Sequence, residues 1–171
     1  MRFDHGMVAR RGAMPARGFS LIELMVTVAI MAFLLVTGLP LTLAWMADVH
    51  QRDAANTLAE GLSRAKAIAL RNPAGQIDAG VPAAMLCMSG QRLYVPTSGD
   101  VASCADANPS WKASIPTGVA VVSSLDVQPL HCVAYNNRGI PLSVPITGST
   151  CTTSSLNVTV GTQNALQVSI L

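Results

Sequence analysis

The chain has 171 residues, which is enough for one domain and short for two. Half of the residues are hydrophobic and only 12% are charged, whereas an ordinary soluble domain carries about a quarter charged residues. These values exclude a disordered or collagen-like chain, and a formal net charge of +2 gives no reason to expect a dedicated nucleic-acid binder. The position of the apolar residues along the chain is therefore more informative than their number.

The first predicted elements are a polar leader, residues 1–18, and an apolar helix, residues 19–47. The leader carries four arginines and one aspartate, and 22 of the next 29 residues are hydrophobic. About 20 such residues suffice to cross a bilayer, and positive residues before a first span stay in the cytoplasm. We therefore expect a single span whose following residues lie outside the cytoplasm. A secretory signal peptide fits less well, because its apolar core has only about 7 to 15 residues; a plain signal anchor is the remaining alternative.

Glu23 is the only charged residue of this apolar segment. A carboxylate inside a membrane helix is costly and is rarely kept without a partner. Glu23 could reach the interface from near the helix start, but the interpretation we prefer is that a positive group of a partner meets it. The amino terminus of a neighbouring copy fits this role, provided that the chain begins at Phe19.

The residues around this carboxylate resemble a known signal. Residues 17–24, Arg-Gly-Phe-Ser-Leu-Ile-Glu-Leu, resemble the type III signal sequence of type IV pilins and type II secretion pseudopilins. The resemblance implies that prepilin peptidase cuts after Gly18, that the new amino terminus Phe19 is N-methylated, and that Glu23 sets register in the assembling fibre. It also implies an inner-membrane precursor with a periplasmic head, whose partners are the lipid bilayer, the inner-membrane assembly platform and other pilins or pseudopilins.

The apolar helix contains a predicted kink. Pro40 falls where pilin helices commonly carry a proline, and Gly38 lies two residues earlier. Proline removes a helix hydrogen bond and clashes with the preceding turn. We expect a kink or local melting of the helix at these two residues.

Residues 48–72 predict an amphipathic continuation of the helix, which Asn72-Pro73 should end. Its apolar positions recur mostly at steps of three and four residues. These positions are Val49, Leu58, Leu62, Ala65, Ile68 and Ala69.

The head, residues 73–171, loses the helical spacing. Short β-branched or alternating runs separated by turn residues predict an antiparallel sheet packed on the helix, an α+β fold. Ser89-Gly90 is a hairpin signal between the first two runs. The predicted strands are 84–88, 92–95, 118–122, 132–135, 156–160 and 166–170.

Several segments narrow the resemblance to the GspH/FimT-like minor pseudopilins and minor pilins. They are the helix end at 65–72, the strand ending in Leu86-Cys87, Trp111, and the segment 135–139, Tyr-Asn-Asn-Arg-Gly. A member of this group would be an assembly-initiating subunit of a type II secretion pseudopilus or a type IV pilus. The chain departs from the group at its end, because no lysine or arginine follows Arg138, whereas a basic C-terminal region binds DNA in some FimT-like proteins.

All four cysteines, Cys87, Cys104, Cys132 and Cys151, follow the membrane segment, in a compartment where disulfides persist. Three connectivities are possible. We favour Cys87–Cys104 and Cys132–Cys151, because each closes a short loop rich in Gly, Pro or Ser, and the second resembles the C-terminal disulfide loop of many pilins. Four buried free thiols are one alternative; a zinc site is a weaker one, because the chain has no Cys-x-x-Cys pair.

The head offers no catalytic constellation. It has one histidine, His131, scattered aspartates, and neither a nucleophile elbow nor a phosphate-binding glycine loop. We expect a structural protein without cofactor or metal rather than an enzyme, the enzymatic alternative being a membrane-tethered periplasmic hydrolase.

A second functional hypothesis is a DNA-binding minor pilin for DNA uptake in natural transformation. Its contact candidates are Arg92, Lys112 and Arg138. The head contains four aspartates beside these three cations, whereas phosphate binding needs clustered positive charge. The sequence therefore argues against nucleic acid as a partner.

Overall fold

The computed structural model describes residues 18–97, 104, 108–146 and 148–170. Residues 1–17 of the predicted leader lie outside the described residues, as do Asp100 and Asp106, two of the four aspartates of the head. The chain divides into two compact units, residues 1–41 and 42–171.

One helix, α1, runs from Leu21 to Arg71, as the apolar and amphipathic patterns predicted. The Leu24 amide donates to the Ser20 carbonyl at 3.2 Å at its start. The helix bounds include Gly38 and Pro40, so helical structure is not interrupted there, and the kink at these residues stays a prediction.

The helix ends where the sequence predicted, at a left-handed asparagine. Asn72 has φ +47°, a conformation that asparagine tolerates better than most residues. Its side chain forms two hydrogen bonds with the following turn. Nδ2 donates to the Gln76 carbonyl at 2.7 Å, and Oδ1 accepts from the Gln76 amide at 2.8 Å. The helix terminus is thus fixed by a local hydrogen-bonded loop.

Ten strands are found in the described part of the head. They are β1 (Ala84–Ser89), β2 (Arg92–Val95), β3 (Trp111–Ser114), β4 (Val119–Ser123), β5 (Cys132–Tyr135), β6 (Pro141–Leu142), β7 (Pro145–Ile146), β8 (Ser149–Thr150), β9 (Leu156–Val160) and β10 (Leu166–Val168). They form a five-stranded sheet in the order β3-β2-β1-β5-β6, a three-stranded sheet in the order β10-β9-β4, and the pair β7-β8. Every pairing is antiparallel.

The α+β class is confirmed, with three antiparallel sheets in place of the single sheet that was expected. All six predicted strands are present with small shifts of their ends, and the Ser89-Gly90 hairpin joins β1 to β2. The sequence missed β3 and β6 to β8. β6 to β8 have two residues each, too short to display an alternating pattern, and β6 and β7 begin with proline. β3 has four residues, of which Lys112 and Ser114 are polar and exposed.

The core of the second unit lies between α1 and the five- and three-stranded sheets. Four predicted apolar positions of the helix are buried there, whereas Val49 is 42% exposed, because burial of the helix begins at Gln51. Tyr135 and Leu86 contribute from the five-stranded sheet. The buried helix residues are Ala54, Ala55, Leu58, Leu62, Ala65 and Ala69.

The helix approaches the five-stranded sheet very closely at Gly61. A Cβ atom at this position would lie 2.8 Å from the Trp111 ring and 3.0 Å from the Leu86 side chain. The Arg64 guanidinium carbon lies 5.9 Å from the centroid of the same ring. Gly61 therefore lets the indole of β3 pack directly on the helix backbone.

Candidate functional site

The predicted processing and assembly residues follow one another at the start of α1. A Cβ atom added at Gly18 would meet no described atom within 4 Å. Phe19 is 81% exposed. Glu23 lies exposed in the first turn of the helix, where a negative charge is favourable. Among the residues that the structure describes, Glu23 forms no ion pair.

The apolar segment of α1 has the properties of a membrane anchor. By length and composition, α1 is able to span a membrane, and none of its most apolar stretch is buried within the protein. Two hydroxyls within it are paired locally: those of Thr27 and Thr37 donate to the carbonyls of Leu24 and Phe33, at 2.9 and 3.0 Å. A helix whose polar groups are paired internally can lie in lipid or against other apolar helices.

Both favoured disulfides are present, Cys87–Cys104 and Cys132–Cys151, with Cα separations of 5.7 and 4.6 Å. The alternatives of free thiols and a zinc site are therefore wrong, and the described residues contain no group of three or more potential metal ligands. Cys87 and Cys132 lie directly opposite each other in the β1–β5 register. The two disulfides thus start from adjacent residues on the same face of the sheet.

This sheet face, which points away from α1, is only partly covered. At the β1–β5 end the disulfides and the β7–β8 region pack into a second apolar cluster, whose buried members are Met85, Cys87, Cys132, Ala134 and Cys151. At the β2–β3 end the face is open and forms a cavity of about 660 Å³. Its lining residues are Ser89, Arg92, Tyr94, Pro109, Lys112, Ala113 and Ser114.

Two of the three DNA-contact candidates are brought together by this cavity. Tyr94 lies opposite Lys112 and Arg92 lies opposite Ser114 in the β2–β3 register, so Arg92 and Lys112 are diagonal neighbours on one face. Neither forms an ion pair among the described residues. Arg138 does not line the cavity; it lies in the turn of Gly139, where an added Cβ atom would lie 3.2 Å from the Lys66 side chain of α1.

A second cavity, of about 280 Å³, brings together Ser123, Asp126 and His131. The described hydrogen bonds do not join the Ser123 hydroxyl to the His131 ring. The Ser123 hydroxyl lies 2.7 Å from that of Ser154, and a hydrogen bond from the Ser123 side chain lowers the pKa of Asp126. No described hydrogen bond involves the His131 ring, whereas an activated serine needs a base within hydrogen-bond reach.

Several buried polar residues that sequence reasoning missed hold the head together. Gln51 of α1 is buried and donates to the carbonyls of Val158 and Asn164, at 2.7 and 2.6 Å. The side-chain Nδ2 of Asn136 donates to the Ala79 carbonyl at 3.0 Å. The Asn-Asn-Arg-Gly turn was a visible signal for Asn136; a lone glutamine in an amphipathic helix gives no comparable signal.

Comparison with known proteins supports the interpretation of the amino-terminal segment. Residues 14–39 match the family described as the prokaryotic N-terminal methylation motif. Comparisons with curated proteins and with solved structures gave no match. The motif implies processing by prepilin peptidase and assembly with other pilins. This motif, ahead of one long apolar helix and an antiparallel β head, supports a type IV pilin-like protein.

Proposed function

We propose that this protein is a minor pilin or pseudopilin of the GspH/FimT-like kind, an assembly-initiating subunit of a type II secretion pseudopilus or a type IV pilus. The precursor lies in the inner membrane with its head in the periplasm, is cut after Gly18 and methylated on Phe19, and then enters a fibre through the assembly platform. The observation that supports the proposal is the exposed apolar segment of α1, whose single carboxylate, Glu23, has no ion-pair partner among the described residues.

The mechanism is side-by-side packing of apolar helices. The Phe19 amino group of one subunit neutralises Glu23 of its neighbour, because a carboxylate removed from water needs a positive partner. Hydrophobic contact supplies the attraction, and the charge pair fixes the register.

The test replaces Glu23 with alanine in cells that assemble the fibre. Glu23→Ala should enter the membrane normally but be incorporated at least about tenfold less, since an unpaired buried amino group remains on the neighbour. Glu60→Ala is the matched control, because Glu60 is an exposed helix carboxylate paired with Arg64 at 2.8 Å. Incorporation is measured by immunoblotting of sheared fibres beside a membrane fraction; wild-type incorporation of Glu23→Ala would contradict the pairing.

DNA uptake is the second candidate function, favoured only by the shared cavity of Arg92 and Lys112. Two cations neutralise few phosphates, and the expected affinity is correspondingly weak and salt-sensitive. A gel shift of the full chain at low and moderate salt tests it, and tight salt-dependent binding would promote this candidate. We further infer that the protein is not an enzyme; in support, no hydrogen bond among the described residues engages the His131 ring.

A further inference from the structure

The open cavity on the five-stranded sheet lies at a free sheet edge. β3 is the first strand in the order β3-β2-β1-β5-β6, so among the residues that the structure describes it has a hydrogen-bonded neighbour on one side only. It contributes Lys112, Ala113 and Ser114 to the cavity lining. A strand in this position presents backbone donors and acceptors to whatever approaches it.

The hydrogen-bonding register identifies which backbone groups are free. The Ile115 amide donates to the Gln91 carbonyl at 2.8 Å, which makes 91 and 115 a hydrogen-bonded pair. In an antiparallel ladder such pairs alternate with pairs whose backbone groups point outward. The amides and carbonyls of Lys112 and Ser114 therefore point away from β2.

The side chains beside this edge carry unpaired positive charge. Lys112 and Arg92 are diagonal neighbours on the sheet face, roughly 7 Å apart at their Cα atoms, and neither has an ion-pair partner among the described residues. The mature chain from Phe19 has seven Lys or Arg and eight Asp or Glu, a formal charge of −1. The positive charge at the cavity is thus a local feature of the β2–β3 corner.

We propose that the β3 edge binds an extended acidic segment of another protein, which adds a strand to the sheet and places carboxylates between Arg92 and Lys112. Main-chain hydrogen bonds to Lys112 and Ser114 supply affinity, and the two cations select acidic side chains. The Tyr94 side chain is a fixed part of the cavity lining, because its hydroxyl donates to the Cys104 carbonyl.

Charge and backbone geometry favour this occupant over two competing ones. A second copy that paired through its own β3 would bring Lys112 and Arg92 against the same cations, and like charges on facing strands are destabilising. A nucleic-acid strand would leave the outward amides of β3 without a matching ladder and would find only two cations. This binding does not depend on the proposed fibre function.

The test uses the full chain in detergent micelles and a fluorescein-labelled peptide of eight residues that alternates glutamate and valine. Fluorescence anisotropy should show saturable binding of this peptide. A lysine–valine peptide, and a glutamate–valine peptide with alternate amides N-methylated, should not bind. No binding of the acidic peptide up to about 1 mM, or equal binding of all three, would overturn the proposal.

Variants of the cavity identify the site. Arg92→Gln and Lys112→Gln should each weaken binding about fivefold, a typical upper value for an exposed ion pair, and Arg138→Gln is the matched control. Ser114→Pro removes an outward amide but leaves the Ile115–Gln91 bond intact, since proline is tolerated on the free side of an edge strand; it should abolish binding.

Melting temperatures show whether each variant folds. If the cavity variants melt like the parent and bind the peptide unchanged, the proposal is wrong. It is equally wrong if a single-stranded oligonucleotide, and not the peptide, binds in a manner that depends on Arg92 and Lys112.

Discussion

At the residue scale, the head depends on glycine and on polar side chains that a hydropathy pattern does not weigh. Gly61 permits the contact between α1 and Trp111, and Gln51 donates to two carbonyls of the head. Each of these residues lies on the apolar face of a predicted amphipathic helix, where the pattern favours a hydrophobic side chain. Their roles follow from what lies opposite them in space.

Gly61→Ala should lower the stability of the head. Alanine is favoured over glycine in a helix by about 1 kcal/mol, but the added methyl meets the Trp111 ring, and overpacking costs about 1–3 kcal/mol. We expect a net loss of about 1 kcal/mol in the free energy of unfolding, measured by denaturant titration. Ser63→Ala, on the exposed side of the same turn, is the control and should be neutral; a Gly61→Ala protein as stable as its parent would contradict the close contact.

At the element scale, the connection between β4 and β5 contains a strained residue. Val127 has φ +56°, which is unfavourable for a β-branched side chain, and the residue is 70% exposed. The Val127 amide donates to the Ser123 carbonyl at 3.2 Å, and the Ser123 amide donates to the Gln128 carbonyl at 2.9 Å. The turn is therefore held by backbone bonds that fix an unfavourable conformation on Val127.

Val127→Gly should stabilise the head by about 1 kcal/mol, because glycine adopts this φ without the steric cost of about 1–2 kcal/mol. Thermal unfolding measures the gain. Leu125→Gly is the control: Leu125 is 82% exposed in the same turn but has an ordinary φ, so glycine there should only add flexibility to the unfolded chain. A lower melting temperature for Val127→Gly than for the parent would show that the valine side chain has contacts of its own.

At the scale of the whole molecule, the last residues of the chain are tied to the middle of the five-stranded sheet. The Tyr135 hydroxyl donates to the Ile170 carbonyl at 3.0 Å, and both residues are buried. Burial raises the pKa of Tyr135 to about 12 from an ordinary value of 10. Folding therefore holds the proton on this phenol.

The consequence is a loss of stability in alkaline solution. The unfolded chain releases the Tyr135 proton near pH 10 and the folded chain near pH 12, so the unfolded state binds fewer protons in this window and stability falls as pH rises. The full contribution, about 2 to 3 kcal/mol, is present below pH 10. Denaturant titrations at several pH values should show this fall in the parent and a smaller one in Tyr135→Phe; equal falls would contradict it.

Much of the fold could be predicted because its signals are local. The predicted helix end at Asn72 and the hairpin at Ser89-Gly90 depend on residues adjacent in the chain. The disulfide pairing was one of three possibilities, favoured by loop length, and it was confirmed. The register makes the choice less obvious, because Cys87 lies opposite Cys132, so proximity in the sheet does not by itself select the partner.

The sequence alone determined the apolar anchor, the prepilin signal with Gly18, Phe19 and Glu23, and the change from helix to β structure after Asn72. Each is a property of a continuous segment, either its length, its period or its order of residue types. Only the tertiary structure decided that Arg92 and Lys112 share a cavity while Arg138 does not, and that β3 forms a free edge. Those facts depend on strand order and register, which join residues distant in the chain and leave no period in the sequence.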